Sequence, residues 1–134
     1  MTHCATILIA DRNPYVRQFL QREMHRAGYA VLLADSGRQV LFWVERGLAL
    51  DLIILDPDLP DADICHLLKQ LNHRFPQLPI VIHGHAEDEA KCIHNKGIRF
   101  VEKGGNSVER IVQVVENALA ATVRCTHTTG RHWS

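Results

Sequence analysis

The sequence lacks the features that identify membrane-spanning, secreted and nucleic-acid-binding proteins. No apolar run approaches the roughly 20 residues that a membrane-crossing helix needs, and the first residues lack the charged-then-apolar layout of a signal peptide. Lys and Arg together number 15, as do Asp and Glu, so no net positive charge attracts nucleic acid or an anionic membrane. We therefore expect no direct nucleic-acid partner and no membrane partner.

Cysteine is scarce and scattered. The sequence has four cysteines, and no two of them form a C-x-x-C pair; they are Cys4, Cys65, Cys92 and Cys125. This usage is typical of reduced thiols in a cytosol rather than of a disulfide framework. We expect a cytoplasmic protein whose cysteines are structural or incidental.

Five short apolar runs are present in a chain whose 134 residues are close to the size of one domain. They are predicted strands, at residues 7–10, 30–33, 52–55, 80–82 and 99–101. The first, third and fourth runs are continuously apolar, which is typical of strands buried on both faces of a parallel sheet.

Helix signals separate the predicted strands. Asn13-Pro14 is typical of an N-cap followed by proline at the first helical position, and Ser36 with Gln39 forms a capping-box pattern. Further helices are predicted over residues 61–73, over residues 87–95 and from about residue 106 onward. The chain therefore alternates strand and helix five times.

This alternation predicts an α/β fold, an open parallel sheet with helices on both faces. We expect one domain over residues 1–125 and a flexible C-terminal tail over residues 126–134. In such folds, ligands bind beyond the carboxyl ends of the strands. The residues that follow the strands there are Asp11 and Arg12, Asp56 and Asp58, His83 and Gly84, and Lys103.

Each of these residues also has a purely structural interpretation, since strand-end aspartates often cap helices and strand-end lysines are often solvated. Two other functions remain open from the residues alone. Asp56-Pro57-Asp58 matches the D-x-D motif of haloacid-dehalogenase-type phosphatases, and His83 with His85 could chelate a metal ion, although two ligands are too few for a closed zinc site.

The chain resembles the CheY-like receiver domains of two-component response regulators over about residues 5–122. Four stretches carry the resemblance, residues 7–11, residues 51–56 with Pro60, residues 78–82, and Lys96-Gly97 before residues 100–103. The resemblance implies a flavodoxin-like doubly wound (βα)5 three-layer sandwich whose parallel sheet has the strand order 2-1-3-4-5.

The resemblance also implies a role for each residue of the acidic pocket. Asp56 is expected to be the phosphoacceptor, with Lys103 pairing with the phosphoryl oxygens. Asp11, Asp56 and the backbone carbonyl of Asp58 are expected to hold Mg²⁺. Phe100 lies at the position of an aromatic switch, although a plain core aromatic is an equally good interpretation.

Three features depart from the family pattern, and one of them is Gly104-Gly105 after Lys103, where a cis-forming proline is common. Arg12 stands where the family usually has a second acid, so we expect weakened Mg²⁺ binding. Its side chain either points to solvent or neutralises the acidic cluster, since a contact with Asp56 at ~4 Å would be worth about 4 kcal/mol at an effective dielectric constant of 20. The family's hydroxyl residue after the fourth strand is replaced by Gly84 or, with a shift of one residue, by His83.

Two functional hypotheses follow from the resemblance. The first is a response-regulator receiver that accepts a phosphoryl group at Asp56 from a sensor histidine kinase or phosphotransfer protein, relays the signal to a downstream protein and is not itself an enzyme. The second is a degenerate receiver that binds proteins independently of phosphorylation. Contacts are expected on the face of the predicted helix over 87–95, the fifth strand and the last helix, including contacts of a homodimer.

Overall fold

The computed structural model describes residues 4–89 and 97–130, with side chains described up to residue 120. Its strands are β1 (Thr6–Ala10), β2 (Ala30–Ala34), β3 (Leu52–Leu55), β4 (Ile80–Gly84) and β5 (Ile98–Glu102). Its helices are α1 (Pro14–Arg26), α2 (Gly37–Val44), α3 (Ile64–Arg74) and α4 (Ser107–Gly130), with a 3-10 turn at Ala86–Asp88. All five predicted strands are therefore confirmed.

The five strands form one parallel sheet in the order β2-β1-β3-β4-β5. Chain order reverses direction between β1 and β3, which places the switch point of the sheet at the carboxyl ends of those two strands. The flavodoxin-like architecture and its strand order are thus confirmed.

The first two helices begin where local chemistry favours them. The Asn13 side chain accepts hydrogen bonds from the backbone N–H groups of Tyr15 and Val16, and Pro14 fills the first helical position. Ser36 caps α2 by accepting from the N–H of Gln39 at 3.1 Å. Gly28 follows α1 with φ +97°. This left-handed conformation ends the helix, and glycine adopts it without the steric cost that a Cβ atom would add.

The third helix begins later than the sequence predicts. Asp63 caps it, so α3 starts at Ile64 rather than at Asp61. Asp61 instead accepts hydrogen bonds from the N–H groups of Gly37 (2.7 Å) and Arg38 (3.2 Å) at the start of α2, and these bonds lower the pKa of its carboxyl group. The predicted helix is confirmed, but its predicted start was wrong, because Asp61 accepts hydrogen bonds at the start of a helix that is remote in sequence.

The core consists of two apolar layers, one on each face of the sheet. One layer packs α2 and α3 against alternate strand residues such as Leu8, Ile53 and Ile82. The other packs α1 and α4 against the intervening residues, among them Ile9 and Ile54. Side chains of one strand alternate between these layers, and this alternation decides which strand-end residues share a face.

Two predictions fall wholly or partly outside the described residues. The helix over residues 87–95 is described only to Glu89, where the 3-10 turn has already formed. Helix α4 continues to Gly130, past the expected domain boundary at residue 125, so the flexible tail over 126–134 stays a prediction. Over the described residues, no helix combines the length and apolar character needed to cross a membrane.

Candidate functional site

Two carboxylates and an ammonium group meet at the carboxyl edge of the sheet. Asp11 follows β1, Asp56 follows β3 and Lys103 follows β5. The Nζ of Lys103 lies 3.6 Å from Asp11 Oδ2 and 3.6 Å from Asp56 Oδ1. Both aspartates are almost fully buried, at 1% exposure each. The structure therefore brings together the three residues that the family resemblance places in one pocket.

Backbone N–H groups fix the orientation of both carboxylates. Asp11 Oδ1 accepts from the N–H of Asn13 at 2.9 Å. Asp56 Oδ2 accepts from the N–H of Arg12 at 3.1 Å, and Asp56 Oδ1 accepts from the N–H of Asp58 at 2.9 Å. Hydrogen bonds to the charged form of a carboxylate favour that form and restrict its rotamer. The Asp56 carboxylate is thereby held in a fixed orientation.

The pKa of the Asp11 carboxyl group is raised well above its ordinary value. Burial raises its pKa from 3.8 to about 6; the Asn13 N–H and Lys103 oppose this rise, whereas the Asp56 charge adds to it. Like charges this close disfavour double ionisation. The negative charge on Asp11 is therefore unfavourable in this buried position.

Asp11→Asn is expected to stabilise the protein at neutral pH. Because the pKa of Asp11 is higher in the folded state than its unfolded value of 3.8, its favourable contribution is present below pH 3.8 and is lost as the pH rises through about 6. The variant should gain on the order of 1 to 3 kcal/mol in unfolding free energy at pH 7.5 and nothing near pH 3.5. Urea unfolding at both pH values checks this, with Asp58→Asn as the exposed control, and an equal gain at both pH values would contradict it.

The Arg12 side chain pairs with Asp58 and not with the Asp56 carboxylate. Its Nη1 is 3.3 Å from Asp58 Oδ2 and 3.4 Å from the Asp58 backbone oxygen. The guanidinium is half exposed, so it neither points freely to solvent nor forms the ion pair with Asp56 considered from the sequence. The hydrogen bond from Arg12 to Asp56 comes from its backbone N–H.

The oxygen atoms expected to hold Mg²⁺ fit the ion only in part. Mg²⁺ prefers oxygen ligands, and the carboxylates of Asp11 and Asp56 supply oxygen atoms. The third expected ligand, the Asp58 carbonyl, already accepts a hydrogen bond from the Arg12 guanidinium. In the described part of the chain, no group of three His, Cys, Asp or Glu side chains is arranged to hold a metal ion.

Gly84, one of the two candidates for the position of the family's hydroxyl residue, has no room for a side chain. A Cβ atom built there would lie 2.5 Å from Pro57 Cγ and 2.9 Å from Pro57 Cδ, and contacts this short require a neighbour to move. The N–H of Lys103 donates to the Gly84 carbonyl at 2.7 Å, which ties the two strand ends together. The contact between Pro57 and Gly84 could not be predicted from the sequence, because the two residues are distant along the chain.

His83 is buried and His85 is exposed, so the two histidines occupy different environments. Neither ring nitrogen of His83 has a hydrogen-bond partner among the described residues. Burial, and next the Lys103 charge, lowers the His83 pKa to about 4 against the opposing charge of Asp56. The ring is therefore neutral at neutral pH.

Phe100 is partly buried against the layer formed with α2 and α3. It pairs in register with Ile82 on β4. Its role as a switch stays a prediction, and its packing is that of a core aromatic at the edge of the sheet.

Another residue that the sequence did not single out also supports the pocket. Arg17, one turn into α1, donates from Nη1 to the Asp11 backbone oxygen at 2.7 Å. The Asn13 cap and Arg17 together tie the start of α1 to Asp11. The sequence shows only that Arg17 is a polar residue one turn inside the helix that follows the first strand. It does not indicate that Arg17 binds Asp11, because this contact depends on how the helix packs against the sheet.

Comparison with known proteins agrees with this geometry. A family model described as the response regulator receiver domain matches residues 7–116. The DNA-binding transcriptional regulator NtrC of a Bradyrhizobium strain is 34% identical over 77 residues, 58% of this chain and 16% of that protein. Response regulator GtcR of Aneurinibacillus migulanus is 29% identical over 112 residues, 81% of this chain and 46% of that protein.

A solved structure gives the same result for the fold. The signal receiver domain of an HD domain-containing protein from Pseudomonas fluorescens superposes with a TM-score of 0.81 at 22% identity, covering 95% of each chain. The chain spans less than half the length of the curated relatives described above. Because the family model covers most of the sequence and the structure gathers the family's acidic pocket, the chain belongs to the family of response-regulator receiver domains.

Proposed function

We propose that this receiver accepts a phosphoryl group on Asp56 and relays the signal through contacts with another protein. Receiver domains are modules of two-component phosphorelay signalling. The observation that carries the proposal is the position of the Lys103 ammonium, 3.6 Å from both Asp56 and Asp11. An ionised carboxylate beside a fixed cation is the arrangement that phosphoryl transfer to an aspartate requires.

In the proposed reaction an oxygen of Asp56 attacks the phosphorus atom of a phosphohistidine. An O–P bond forms, the P–N bond breaks, and the donor imidazole nitrogen keeps the electron pair of the broken bond. Lys103 offsets the negative charge that gathers on the phosphoryl oxygens. The N–H groups of Arg12 and Asp58 hold the nucleophilic carboxylate in place.

Receiver domains generally bind Mg²⁺ at their acidic pocket, and we propose that this one does so weakly. Asp11 and Asp56 would hold the ion, which supplies positive charge beside the phosphoryl group when bound. Arg12 opposes this binding in two ways, because its guanidinium contacts the Asp58 carbonyl and adds a positive charge beside the site. The positive charge of Arg12 also offsets part of the negative charge of the pocket when no metal ion is bound.

A second candidate function is supported by the contacts around Pro57. The Arg12–Asp58 ion pair joins the segments that follow β1 and β3, and Pro57 packs against Gly84 at the end of β4. Neither contact requires a phosphoryl group. A receiver held in one conformation would bind its partner regardless of phosphorylation. This candidate predicts unchanged partner binding in Asp56→Ala, whereas the leading proposal predicts a marked change.

The proposed partners are a phosphoryl donor and a downstream protein. Receiver domains of this kind interact with sensor histidine kinases or phosphotransfer proteins, and we propose such a phosphoryl donor here, in the cytoplasm. The downstream protein, or a second copy of this chain, would bind the face that includes β5 and α4. The helix expected to complete this face falls largely outside the described residues.

Phosphorylation assays with a matched pair of variants test the leading proposal. Wild-type protein incubated with acetyl phosphate or a panel of phosphorylated kinases should give a shifted band on a phosphate-affinity gel. Asp56→Asn should abolish the shift, because the nucleophile is lost, and Asp58→Asn, two residues away and largely exposed, should keep it. Absence of a shift with every donor would overturn the proposal, and steady hydrolysis of an aryl phosphate would favour a phosphatase instead.

A further inference from the structure

His83 lies on the same face of the sheet as the phosphoacceptor. Strands β3 and β4 pair Ile54 with Val81 and Leu55 with Ile82, so continuing this register by one residue places His83 beside Asp56. Neighbouring strands are about 4.8 Å apart. Alternation along each strand puts His83 with Val81, in the layer covered by α1 and α4, and Asp56 with Ile54 in the same layer.

The burial of His83 is unusual for its polarity. The residue is 3% exposed, and neither Nδ1 nor Nε2 has a hydrogen-bond partner among the described residues. A buried polar group without a partner costs stability, so each instance needs an explanation such as a bound water, a ligand or a functional role. The strand register places His83 beside Asp56, and the charges of Lys103 and Asp56 shift the pKa of its ring in opposite directions.

The family's hydroxyl residue after the fourth strand, which the resemblance implies as a hydrogen-bond donor to the phosphoryl group, is missing here. Gly84 carries no hydroxyl, and Pro57 occupies the space that a side chain at position 84 would need. The described pocket therefore offers Lys103 and backbone N–H groups, with one unused polar side chain beside them. That side chain is His83.

We propose that an imidazole N–H of His83 donates a hydrogen bond, directly or through one water molecule, to the phosphoryl group on Asp56. This inference rests on the proposed function and adds to it a specific ligand of the phosphoryl group. A neutral imidazole has one N–H donor and one acceptor nitrogen. It can therefore serve the phosphoryl oxygens without adding a second buried cation beside Lys103.

Binding of beryllofluoride, a phosphoryl mimic, in the presence of Mg²⁺ tests the inference on the full chain. His83→Leu keeps the apolar volume and removes the donor, His83→Gln keeps an N–H donor, and His85→Leu is the matched exposed control. We expect His83→Leu to weaken binding on the order of tenfold, as for the loss of one hydrogen bond to a charged group. His83→Gln should recover part of the affinity, and His85→Leu should leave it unchanged.

Two further measurements separate this role from simple packing. Urea unfolding should show His83→Leu to be at least as stable as the wild type, because an unpartnered polar group is replaced by an apolar one. In wild-type protein, ¹H–¹⁵N spectra should show the His83 ring N–H becoming protected from exchange when beryllofluoride binds. Equal beryllofluoride affinity in wild type and His83→Leu would overturn the role of His83 but leave the proposed function standing.

Equal losses in His83→Leu and His83→Gln, accompanied by lower stability, would show a packing role and would also overturn it. No adduct on the wild type with beryllofluoride or any phosphoryl donor would overturn both this inference and the proposed function.

Discussion

Arg12→Asp is expected to increase the affinity for Mg²⁺ by about 10- to 30-fold. The change removes the guanidinium from the Asp58 carbonyl, where it lies at 3.4 Å, and replaces a positive charge with a negative one. A change of two charge units about 5 Å from a divalent ion is worth about 3 kcal/mol even at the dielectric constant of water. Salt screening reduces this value, because the Arg12 side chain is half exposed.

Isothermal titration calorimetry with MgCl2 at fixed ionic strength measures the effect. Arg22→Asp is the matched control, because it makes the same charge change at an exposed position further along α1. Arg12→Ala should give a smaller gain than Arg12→Asp, since it frees the carbonyl but adds no acid. If Arg12→Asp and Arg22→Asp bind Mg²⁺ equally, the guanidinium does not control the metal site.

Gly84→Thr is expected to destabilise the protein by on the order of 1 to 3 kcal/mol, although threonine would bring the pocket closer to the family pattern. Its Cβ would overlap Pro57 Cγ at 2.5 Å, and a proline ring cannot rotate away. The double variant Pro57→Ala/Gly84→Thr should recover most of the loss, since alanine leaves room for the new side chain. Urea unfolding of the two single variants and the double variant gives the coupling energy.

Gly104→Ala provides the control for this cycle. A Cβ at Gly104 would meet no atom within 4 Å, so its stability should change by less than about 0.5 kcal/mol. Additive effects of the Pro57 and Gly84 changes would show that the two residues do not share the space as described.

The sheet and the central residues of the pocket were predictable because their signals are local. Continuous apolar runs such as Leu52–Leu55 mark buried parallel strands, and parallel strands bring the residues that follow them to one edge. Asp11, Asp56 and Lys103 meet for this reason. The strand order 2-1-3-4-5 came from the family resemblance, since alternation of strand and helix does not determine it.

The remaining features depend on contacts between segments that are distant in sequence. The sequence left the Arg12 side chain between Asp56 and solvent and did not indicate its partner Asp58, because the direction of a long side chain depends on the loop opposite it. Asp61 was assigned to the wrong helix for the same reason. The burial of His83 could not be predicted from the sequence, because a histidine at a strand end can be either buried or exposed.

We propose that the Asp56 carboxylate, beside the Lys103 ammonium, is the group that becomes phosphorylated. Tandem mass spectrometry of the chain, after incubation with a phosphoryl donor and chemical trapping of the acyl phosphate, identifies the modified residue. We expect a single modification at Asp56 that is strongly reduced in Lys103→Ala. A modification at Asp11, Asp58 or a histidine, with Asp56 unmodified, would contradict it.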